Sequence, residues 1–319
     1  MTKSLKKSAA GNGEPELDAR ERFRSLLVPI DLTPASDRVI GRLARLPLAE
    51  SGLVTLVHVV PGSLAPREQR DAERDAKQSL SEEARHLAAS LPNSVRVQAV
   101  VKVGGAAREI TELARTQAAD LIVMGRGGGR ALRDTFLGST AERVMRTAKL
   151  PVLAVRLAPR TAYRRPAMAI DLDESASRVF SWLLRMLPPP RPRIEIVHAL
   201  QSPYESLAYS SLSDDQVEER RAELRQAASQ KLVELLTKAL ADGGVSAKDA
   251  LWKLHVRHGS PRIVVTKAVK ESGVDLLALG THGYSGLAHT FLGSVAGDLL
   301  RDVGCDVLVV PPRERSEPT

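Results

Sequence analysis

The stretch Gly125-Arg-Gly-Gly-Gly-Arg-Ala-Leu-Arg-Asp-Thr-Phe-Leu-Gly-Ser139 follows a short apolar run that ends at Met124. A second stretch, Gly280-Thr-His-Gly-Tyr-Ser-Gly-Leu-Ala-His-Thr-Phe-Leu-Gly-Ser294, follows a similar run that ends at Leu279. Both have the form G-x2-G-x9-G-S, and we call them the glycine loops. Their glycines let a ligand approach the backbone, and main-chain N–H groups at the helix that follows can hold a phosphate. The alternative of a simple tight turn is weakened because the spacing occurs twice.

Other features also occur twice and in the same order. The run Val28-Pro-Ile-Asp31-Leu returns as Met168-Ala-Ile-Asp171-Leu, and Leu56-Val-His58-Val returns at the same offset as Ile196-Val-His198-Ala. The glycine loops themselves align at an offset that is fifteen residues greater. The sequence therefore predicts a duplicated domain whose second copy has a longer connection after its second strand.

In each copy, short apolar runs alternate with segments whose apolar residues recur at helical spacing. This alternation predicts an α/β fold, with a parallel sheet covered by helices on both faces. Two prolines and several basic residues mark the linker between the copies. The predicted organisation is a disordered tail at 1–23, a first domain at 24–157, a linker at 158–165, a second domain at 166–312 and a tail at 313–319.

The composition of the 319 residues, with 43% hydrophobic and 26% charged residues, is typical of a soluble globular protein. Aromatic residues make up 3%, which argues against nucleic-acid binding by base stacking, although a net charge of +8 would attract polyanions. No apolar run approaches the roughly 20 residues that span a bilayer, and no apolar segment follows the basic N-terminus. We therefore predict a cytoplasmic protein without a membrane partner. The single cysteine, Cys305, is predicted to be a small buried side chain.

Two aspartates stand where a parallel sheet is expected to bind a ligand. Asp31 and Asp171 each end a strand, as the runs before the glycine loops do, and the carboxyl ends of parallel strands share one edge. A carboxylate there can accept hydrogen bonds from a sugar or a base. The alternative, that both aspartates only cap the following helices, stays open. Ser139 and Ser294 can donate to a phosphate or cap a helix, and Ser139-Thr-Ala-Glu142 has the form of a capping box.

The two glycine loops carry different charged side chains. The first contains Arg126, Arg130 and Arg133, and the second contains His282 and His289. If the arginines face the ligand, the first site should hold a triphosphate more tightly than the second. Solvent exposure of the arginines is the alternative.

Histidines elsewhere indicate structure rather than chemistry. His58 and His198 end apolar runs and are interpreted as structural residues. His255 and His258 form a pair without carboxylate or cysteine companions, which is too little for a metal site. No P-loop, nucleophile elbow or acidic cluster accompanies the glycine loops. The motifs therefore indicate binding and no catalytic residue.

The two glycine loops, the aspartates that end the first strands and the Leu-Val-His-Val-like second strands resemble the universal stress protein family over nearly all of residues 25–312. The resemblance implies two tandem Rossmann-like domains, similar to adenine nucleotide alpha hydrolases, each with a five-stranded parallel sheet. Members with this glycine motif typically bind ATP, so it also implies ATP as the cofactor, with or without Mg²⁺. The residues that it assigns to the nucleotide are Pro29, Ile30, Asp31, Val59, Met124, Gly125, Gly127, Gly128, Gly138, Ser139 and Thr140 in the first domain, and Ala169, Ile170, Asp171, Ala199, Leu279, Gly280, His282, Gly283, Gly293, Ser294 and Val295 in the second.

Domains of this family often pair through their last strands. The resemblance therefore implies an intrachain pseudo-dimer in which Leu150–Val155 meets Asp306–Val310. Two independent edges are the alternative, and a homodimer of whole chains is also open.

The leading hypothesis is a stress-response protein that binds an adenine nucleotide in each domain and acts through nucleotide-dependent conformation or association. Two alternatives remain: slow hydrolysis of ATP, and an interaction scaffold whose loops bind no nucleotide.

Overall fold

A computed structural model describes residues 22–34, 36–126, 137–173, 175–201, 212–281 and 292–312 of the chain. Within each half of the described chain strands and helices alternate, which confirms the predicted α/β fold. The first half consists of β1 (Phe23–Pro29), α1 (Ser36–Leu43), β2 (Leu48–Pro61), α2 (Pro66–Ser90), β3 (Arg96–Gly104), α3 (Ala106–Thr116), β4 (Leu121–Gly125), α4 (Ser139–Thr147) and β5 (Val152–Val155).

The second half repeats this plan. It consists of β6 (Pro166–Ala169), α5 (Ser175–Met186), β7 (Ile194–Leu200), α6 (Asp214–Gly243), β8 (Trp252–His258), α7 (Pro261–Ser272), β9 (Leu276–Gly280), α8 (Ser294–Asp302) and β10 (Asp306–Val310). The connection from β7 to β8 contains a helix of 30 residues, whereas the equivalent helix α2 has 25. The longer connection therefore lies where the sequence predicts it. None of the helices described is both long enough and apolar enough to cross a bilayer.

All ten strands form one sheet in the order β3-β2-β1-β4-β5-β10-β9-β6-β7-β8. Neighbouring strands are parallel within each half. The direction of winding reverses between β1 and β4 in the first half, and between β6 and β9 in the second. Such a reversal opens a crevice at the carboxyl ends of the two strands concerned.

The two halves meet where β5 lies antiparallel to β10, and we call this contact the seam. Leu153 lies opposite Leu308, with Val152 and Ala154 paired on either side. The predicted intrachain pairing of the last strands is therefore confirmed, and the alternative of two independent edges is wrong.

A buried group of polar side chains fastens the seam. The carboxylate of Asp306, which is fully buried, accepts the N–H groups of Arg156 at 2.7 Å and Leu157 at 2.8 Å, and the hydroxyl of Tyr163 at 2.8 Å. Nε of Arg42 lies 3.2 Å from Oδ2 of Asp306, and its guanidinium stands 4.1 Å from the centre of the Tyr163 ring. Burial raises the pKa of Asp306 in spite of these partners. A second-half residue thus anchors α1, the end of β5 and the connection between the halves.

Hydrophobic side chains pack on both faces of the sheet, and each cluster contains residues from both halves. Phe23, at the start of β1, stacks on Trp182 of α5 with ring centroids 6.3 Å apart. Cys305 is buried as predicted, and burial is the main reason that its pKa rises to about 12. The core is therefore continuous across the seam, so the halves are not packed as two separate units.

Candidate functional site

The strand order places each predicted aspartate beside the strand that leads into a glycine loop. Asp31 follows β1, which pairs with β4, and Asp171 follows β6, which pairs with β9. Both aspartates and both loops therefore lie at the carboxyl edge of the sheet, at the two reversals of winding. This is the edge at which open α/β sheets bind ligands.

A main-chain hydrogen bond closes the base of each glycine loop. The N–H of Gly138 donates to the carbonyl oxygen of Arg126 at 2.6 Å, and the N–H of Gly293 donates to that of Thr281 at 2.8 Å. The two bonds join equivalent positions of the two halves. Each loop thus leaves its strand and returns to its helix at a fixed point.

The helices that follow the loops begin at glycine N-caps. Gly138 and Gly293 occupy the N-cap positions and have no side chain that could accept a hydrogen bond. Ser139 is the first helical residue, so the predicted capping box is wrong, and Glu142 instead pairs with Arg146 at 2.9 Å. The N–H groups of the first turn have no side-chain cap, and the helix dipole makes this end positive. The arrangement favours an anion at both helix starts.

The second N-cap leaves little room for a side chain. A Cβ atom on Gly293 would lie 3.1 Å from the carbonyl oxygen of Thr281, which is closer than ordinary packing allows. Ser294 and Val295, which follow, are exposed. Glycine therefore lets the main chain pack closely against Thr281 at this point.

Asp31 holds the turn from β1 into α1. Its Oδ1 accepts the N–H of Thr33 at 3.2 Å, the hydroxyl of Thr33 at 2.7 Å and the hydroxyl of Ser36 at 2.9 Å. Burial, the largest single influence, acts to raise the pKa of Asp31, but these hydrogen bonds together bring it below its ordinary value. Asp31 therefore caps the turn, as one interpretation of the sequence held, while its side chain stays exposed at the carboxyl edge.

Asp171 has a different role, although it occupies the same position. The turn into α5 is held by Asp173, whose Oδ1 accepts the N–H of Ser175 at 2.8 Å. Oδ1 of Asp171 accepts the N–H of Leu172 at 2.9 Å. The cap has moved because the second half has Asp173 and Ala176 in place of the two hydroxyl residues that hold this turn in the first half. Helix capping therefore does not account for Asp171.

Two histidines at equivalent positions hydrogen-bond to the residues that precede the aspartates. Nδ1 of His58 lies 2.9 Å from the carbonyl oxygen of Ile30, and Nδ1 of His198 lies 2.9 Å from that of Ile170. A carbonyl oxygen can only accept, so Nδ1 donates in both contacts. The structural interpretation of these histidines agrees with the geometry, because each one fixes the end of the strand that carries the aspartate.

The other predicted binding residues differ in exposure. Met124 and Leu279 are buried in the core, so only their main chains could reach a ligand. Partly or fully exposed are Pro29, Val59, Gly125, Thr140, Ala169, Ala199 and Gly280. Gly127, Gly128, His282 and Gly283 lie outside the described residues, as do Arg130, Arg133 and His289.

Arg126 does not face the predicted phosphate position. Its side chain is 6% exposed and crosses the seam, where Nη1 donates to the carbonyl oxygen of Val303 at 3.0 Å. Burial, and then the neighbouring Arg156, lowers the pKa of Arg126 to about 10. The expectation that Arg126 adds charge to the first site is therefore wrong. The carbonyl groups at the end of α8 attract this cation away from the loop.

His255 has a carboxylate companion that the sequence did not reveal. Its Nε2 contacts Oε2 of Glu195 on the neighbouring strand. Hydrogen bonding to His255 is the main influence that lowers the pKa of Glu195 against the opposing effect of burial. Among the described residues, no group of three or more histidine, cysteine, aspartate or glutamate side chains could hold a metal ion.

Comparison with known proteins identifies the family. The model of the universal stress protein family matches residues 22–156 and again residues 162–311. The chain belongs to the universal stress protein family. The two matches correspond to the two halves of the sheet, so this universal stress protein carries the family unit twice.

Relatives of about half its length and of about its full length both resemble it. Universal stress protein G of Shigella flexneri is 30% identical over 143 residues, which are 42% of this chain and 99% of the relative. The crystal structure of a universal stress protein from Archaeoglobus fulgidus DSM 4304 matches with a TM-score of 0.64 at 18% identity, over 91% of this chain and 98% of that one. One from Pseudomonas aeruginosa UCBPP-PA14 matches with a TM-score of 0.56 at 17% identity, over 93% and 96%. At these identities the structural likeness concerns the fold.

Proposed function

We propose that this universal stress protein binds an adenine nucleotide, ATP, in each half. The phosphates would lie against the main chain of the glycine loops and the first turns of α4 and α8. Asp31 and Asp171 would face the nucleoside, with Val59 and Ala199 beside the base. Because Ala199 is smaller, the second site would offer the base more room.

One repeated observation carries the proposal. At both reversals of winding, a glycine N-cap whose N–H closes the loop base begins a helix without a side-chain cap. A single occurrence would be explained by a tight turn. Two occurrences, each beside a strand that ends in an aspartate, are what a pair of phosphate sites requires.

The described residues fit the nucleotide better than they fit a resident metal. A Cβ at Gly293 would press on the carbonyl oxygen of Thr281, so glycine lets the main chain close the loop base directly before the uncapped helix start. In the described part of the chain, no group of three or more acidic, histidine or cysteine side chains is arranged to hold a metal ion. Any Mg²⁺ at these sites would therefore be held mainly by the phosphates of the nucleotide.

The proposed action is a change of conformation or association on nucleotide binding, and not fast catalysis. Both sites lie on one sheet with a shared core, so a nucleotide in either half would stabilise the whole chain by mass action. The cytoplasmic location, and a homodimer of whole chains, stay predictions from the sequence.

Equilibrium dialysis of the purified chain with ATP, ADP and AMP tests the proposal. We expect saturable binding of ATP that approaches two molecules per chain, and a rise in the melting temperature with ATP concentration. Absence of binding at about 1 mM of each nucleotide would contradict it.

A matched pair of variants locates the binding. Gly138→Val with Gly293→Val places side chains at both loop N-caps, and we expect it to weaken ATP binding at least about tenfold. Gly105→Val is the control, because Gly105 is also a helix N-cap and a Cβ there would meet nothing within 4 Å. Equal loss in both variants would refute the sites. Phosphate release at the same rate from all three proteins would assign any hydrolysis to a contaminant.

A further inference from the structure

A cleft of about 420 Å³ opens at the amino edge of the second half, opposite the edge that carries the glycine loops. It lies at the starts of β6, β7 and β8, below the end of α7. Its size is within the range of small-molecule sites. The lining residues are Arg164, Arg165, Arg193, Glu195, Lys253 and Ser272.

Cations dominate this cleft. Arg193 lies 3.3 Å from Glu195, while Glu195 also contacts His255. In the described part of the chain, the side chains of Arg164, Arg165 and Lys253 form no ion pair. One carboxylate therefore faces four cations, and it is already engaged by two partners. The charge that remains is positive and open to solvent.

An aspartate beneath the cleft belongs to the fold. The carboxylate of Asp275 accepts the main-chain N–H groups of Arg164 at 2.7 Å and Arg165 at 3.0 Å, and so fixes the start of β6. Asp120 does the same for the start of β1, where it accepts the N–H groups of Arg24 and Ser25. Both halves thus use an aspartate to anchor the start of the first strand, so the position of Asp275 has a structural explanation.

The first half has the same strand pairing and anchoring aspartate without most of the basic side chains of the cleft. The register of β7 with β8 pairs Glu195 with Lys253, and the equivalent register of β2 with β3 pairs Thr55 with Gln98. There Nε2 of Gln98 donates to Oγ1 of Thr55 at 2.8 Å, a neutral and satisfied pair. The remaining equivalents are Arg24 for Arg164, Ser25 for Arg165, Leu53 for Arg193 and Gln117 for Ser272.

The second half differs from the first in the charge of the side chains at this edge of the sheet. The same strands, register and anchoring aspartate are built in the first half with mostly neutral side chains. Packing and strand pairing therefore do not explain why Arg165, Arg193 and Lys253 join Arg164 here, since only Arg164 has a basic equivalent in the first half. Guanidinium groups bind phosphate oxygens through paired hydrogen bonds, and several cations around one concave space strengthen one another's attraction for an anion.

We propose that this cleft binds a small polyanion with two or more phosphate groups. Arg164 and Arg165 would hold it from the side of the linker, and Arg193 and Lys253 from the starts of β7 and β8. The site is separate from the glycine loops, since it lies at the opposite edge of the sheet. It exists in the second half alone, because the first half has neutral residues at most of the equivalent positions.

Inorganic tripolyphosphate is the probe, measured by isothermal titration calorimetry at low ionic strength. Every protein in this titration carries Gly138→Val and Gly293→Val to weaken the glycine loops, and no nucleotide is added, because ATP is itself a polyanion that the cleft would bind. The variant Arg165→Ser, Arg193→Leu, Lys253→Gln replaces three cations of the cleft with the neutral residues that stand at the equivalent positions of the first half. We expect its affinity for tripolyphosphate to fall at least about tenfold. Arg67→Gln, Arg70→Gln, Arg85→Gln is the control, since it removes the same charge from exposed positions of α2, and its affinity should change less than about twofold.

A second variant, with a single substitution, tests the cleft even if the triple variant does not fold. Arg164→Gln changes one exposed side chain, and a loss of about threefold or more is expected for it as well. Equal weakening in the cleft and control variants would mean a general attraction to a basic protein and would overturn the proposal, as would no binding of tripolyphosphate by the chain with an unaltered cleft at about 1 mM. Failure of the chain to bind ATP would refute the glycine-loop sites. It would not refute the cleft, because the affinities of the cleft and control variants for tripolyphosphate are compared independently of ATP.

Discussion

A carboxylate at one position of a duplicated fold can do two different things. Asp31 caps the turn into α1 because Ser36 is available to donate, whereas Asp171 is released from that role because Ala176 has no hydroxyl and Asp173 holds the turn instead. The sequence gives both aspartates the same surroundings in the strand. The difference arises two and five residues later, at the positions that carry the donating hydroxyls in the first half and lack them in the second, where no ligand motif directs attention.

Because Asp31 caps a turn through its ionised side chain, the stability of the chain should depend on pH at this residue. The pKa of Asp31 is lower in the folded chain than its ordinary value near 3.9, so its stabilising effect is present above that value and is lost as the pH falls through the folded pKa. Asp31→Asn should lower the free energy of unfolding at pH 7 by no more than about 1 kcal/mol, because the side chain is exposed.

Urea unfolding at several pH values measures the effect. The difference between Asp31→Asn and the unaltered chain should shrink as the pH falls below the ordinary pKa of an aspartate, near 3.9, because the pKa of Asp31 is lowered in the folded chain. Asp171→Asn is the matched control, and it should destabilise the chain less at pH 7 because Asp171 does not hold the turn. A larger loss for Asp171→Asn than for Asp31→Asn would show that the capping roles are assigned the wrong way round.

At the level of single elements, the apolar runs and their spacing predict the strands, the parallel order and the longer connection of the second half. Directions of individual side chains are less predictable. Arg126 follows the strand that leads into a phosphate loop, yet it points to the end of α8, which approaches only because the seam forms. Glu195 and His255 are 60 residues apart and meet through the register of β7 with β8. Both contacts depend on strand neighbours that no local pattern encodes.

One buried carboxylate of β10 holds several elements at the seam. Asp306 is buried against Arg42 and accepts three hydrogen bonds from Arg156, Leu157 and Tyr163. Asp306→Ala would leave a buried arginine and three donors without their acceptor, and we expect a loss of about 3–5 kcal/mol in the free energy of unfolding. Tyr163→Phe removes one donor and should cost about 1 kcal/mol.

Urea denaturation followed by circular dichroism separates these outcomes. Arg126→Met is the control for a buried cation, because Val303 would keep Arg156 as a donor to its carbonyl oxygen at 2.6 Å. That variant should change the free energy of unfolding by less than about 1 kcal/mol. A small effect of Asp306→Ala, comparable to that of Arg126→Met, would show that the seam does not depend on this group.

Across the whole molecule, the duplication predicts two domains, but the sheet and both hydrophobic clusters run through the seam without interruption. The end strands of the halves, β5 and β10, are short, buried and almost entirely apolar. Each would be an unpaired hydrophobic edge if its partner unfolded. The two halves should therefore unfold together, although each matches the family unit by itself.

The positions of the tryptophans allow a direct test of this coupling. Both tryptophans of the chain lie in the second half, but Trp182 stacks on Phe23 of the first half, so the measurement is made in a Trp182→Phe background. Trp252, which packs edge to face against Phe180, then reports on the second half alone. Leu80 is fully buried in α2 of the first half, and Leu80→Ala should remove about 2–5 kcal/mol from the free energy of unfolding. If the chain unfolds as one unit, this change moves the fluorescence transition to lower urea, in step with the transition seen by circular dichroism. If the fluorescence midpoint stays where it was, the halves unfold separately and the shared core does not couple them.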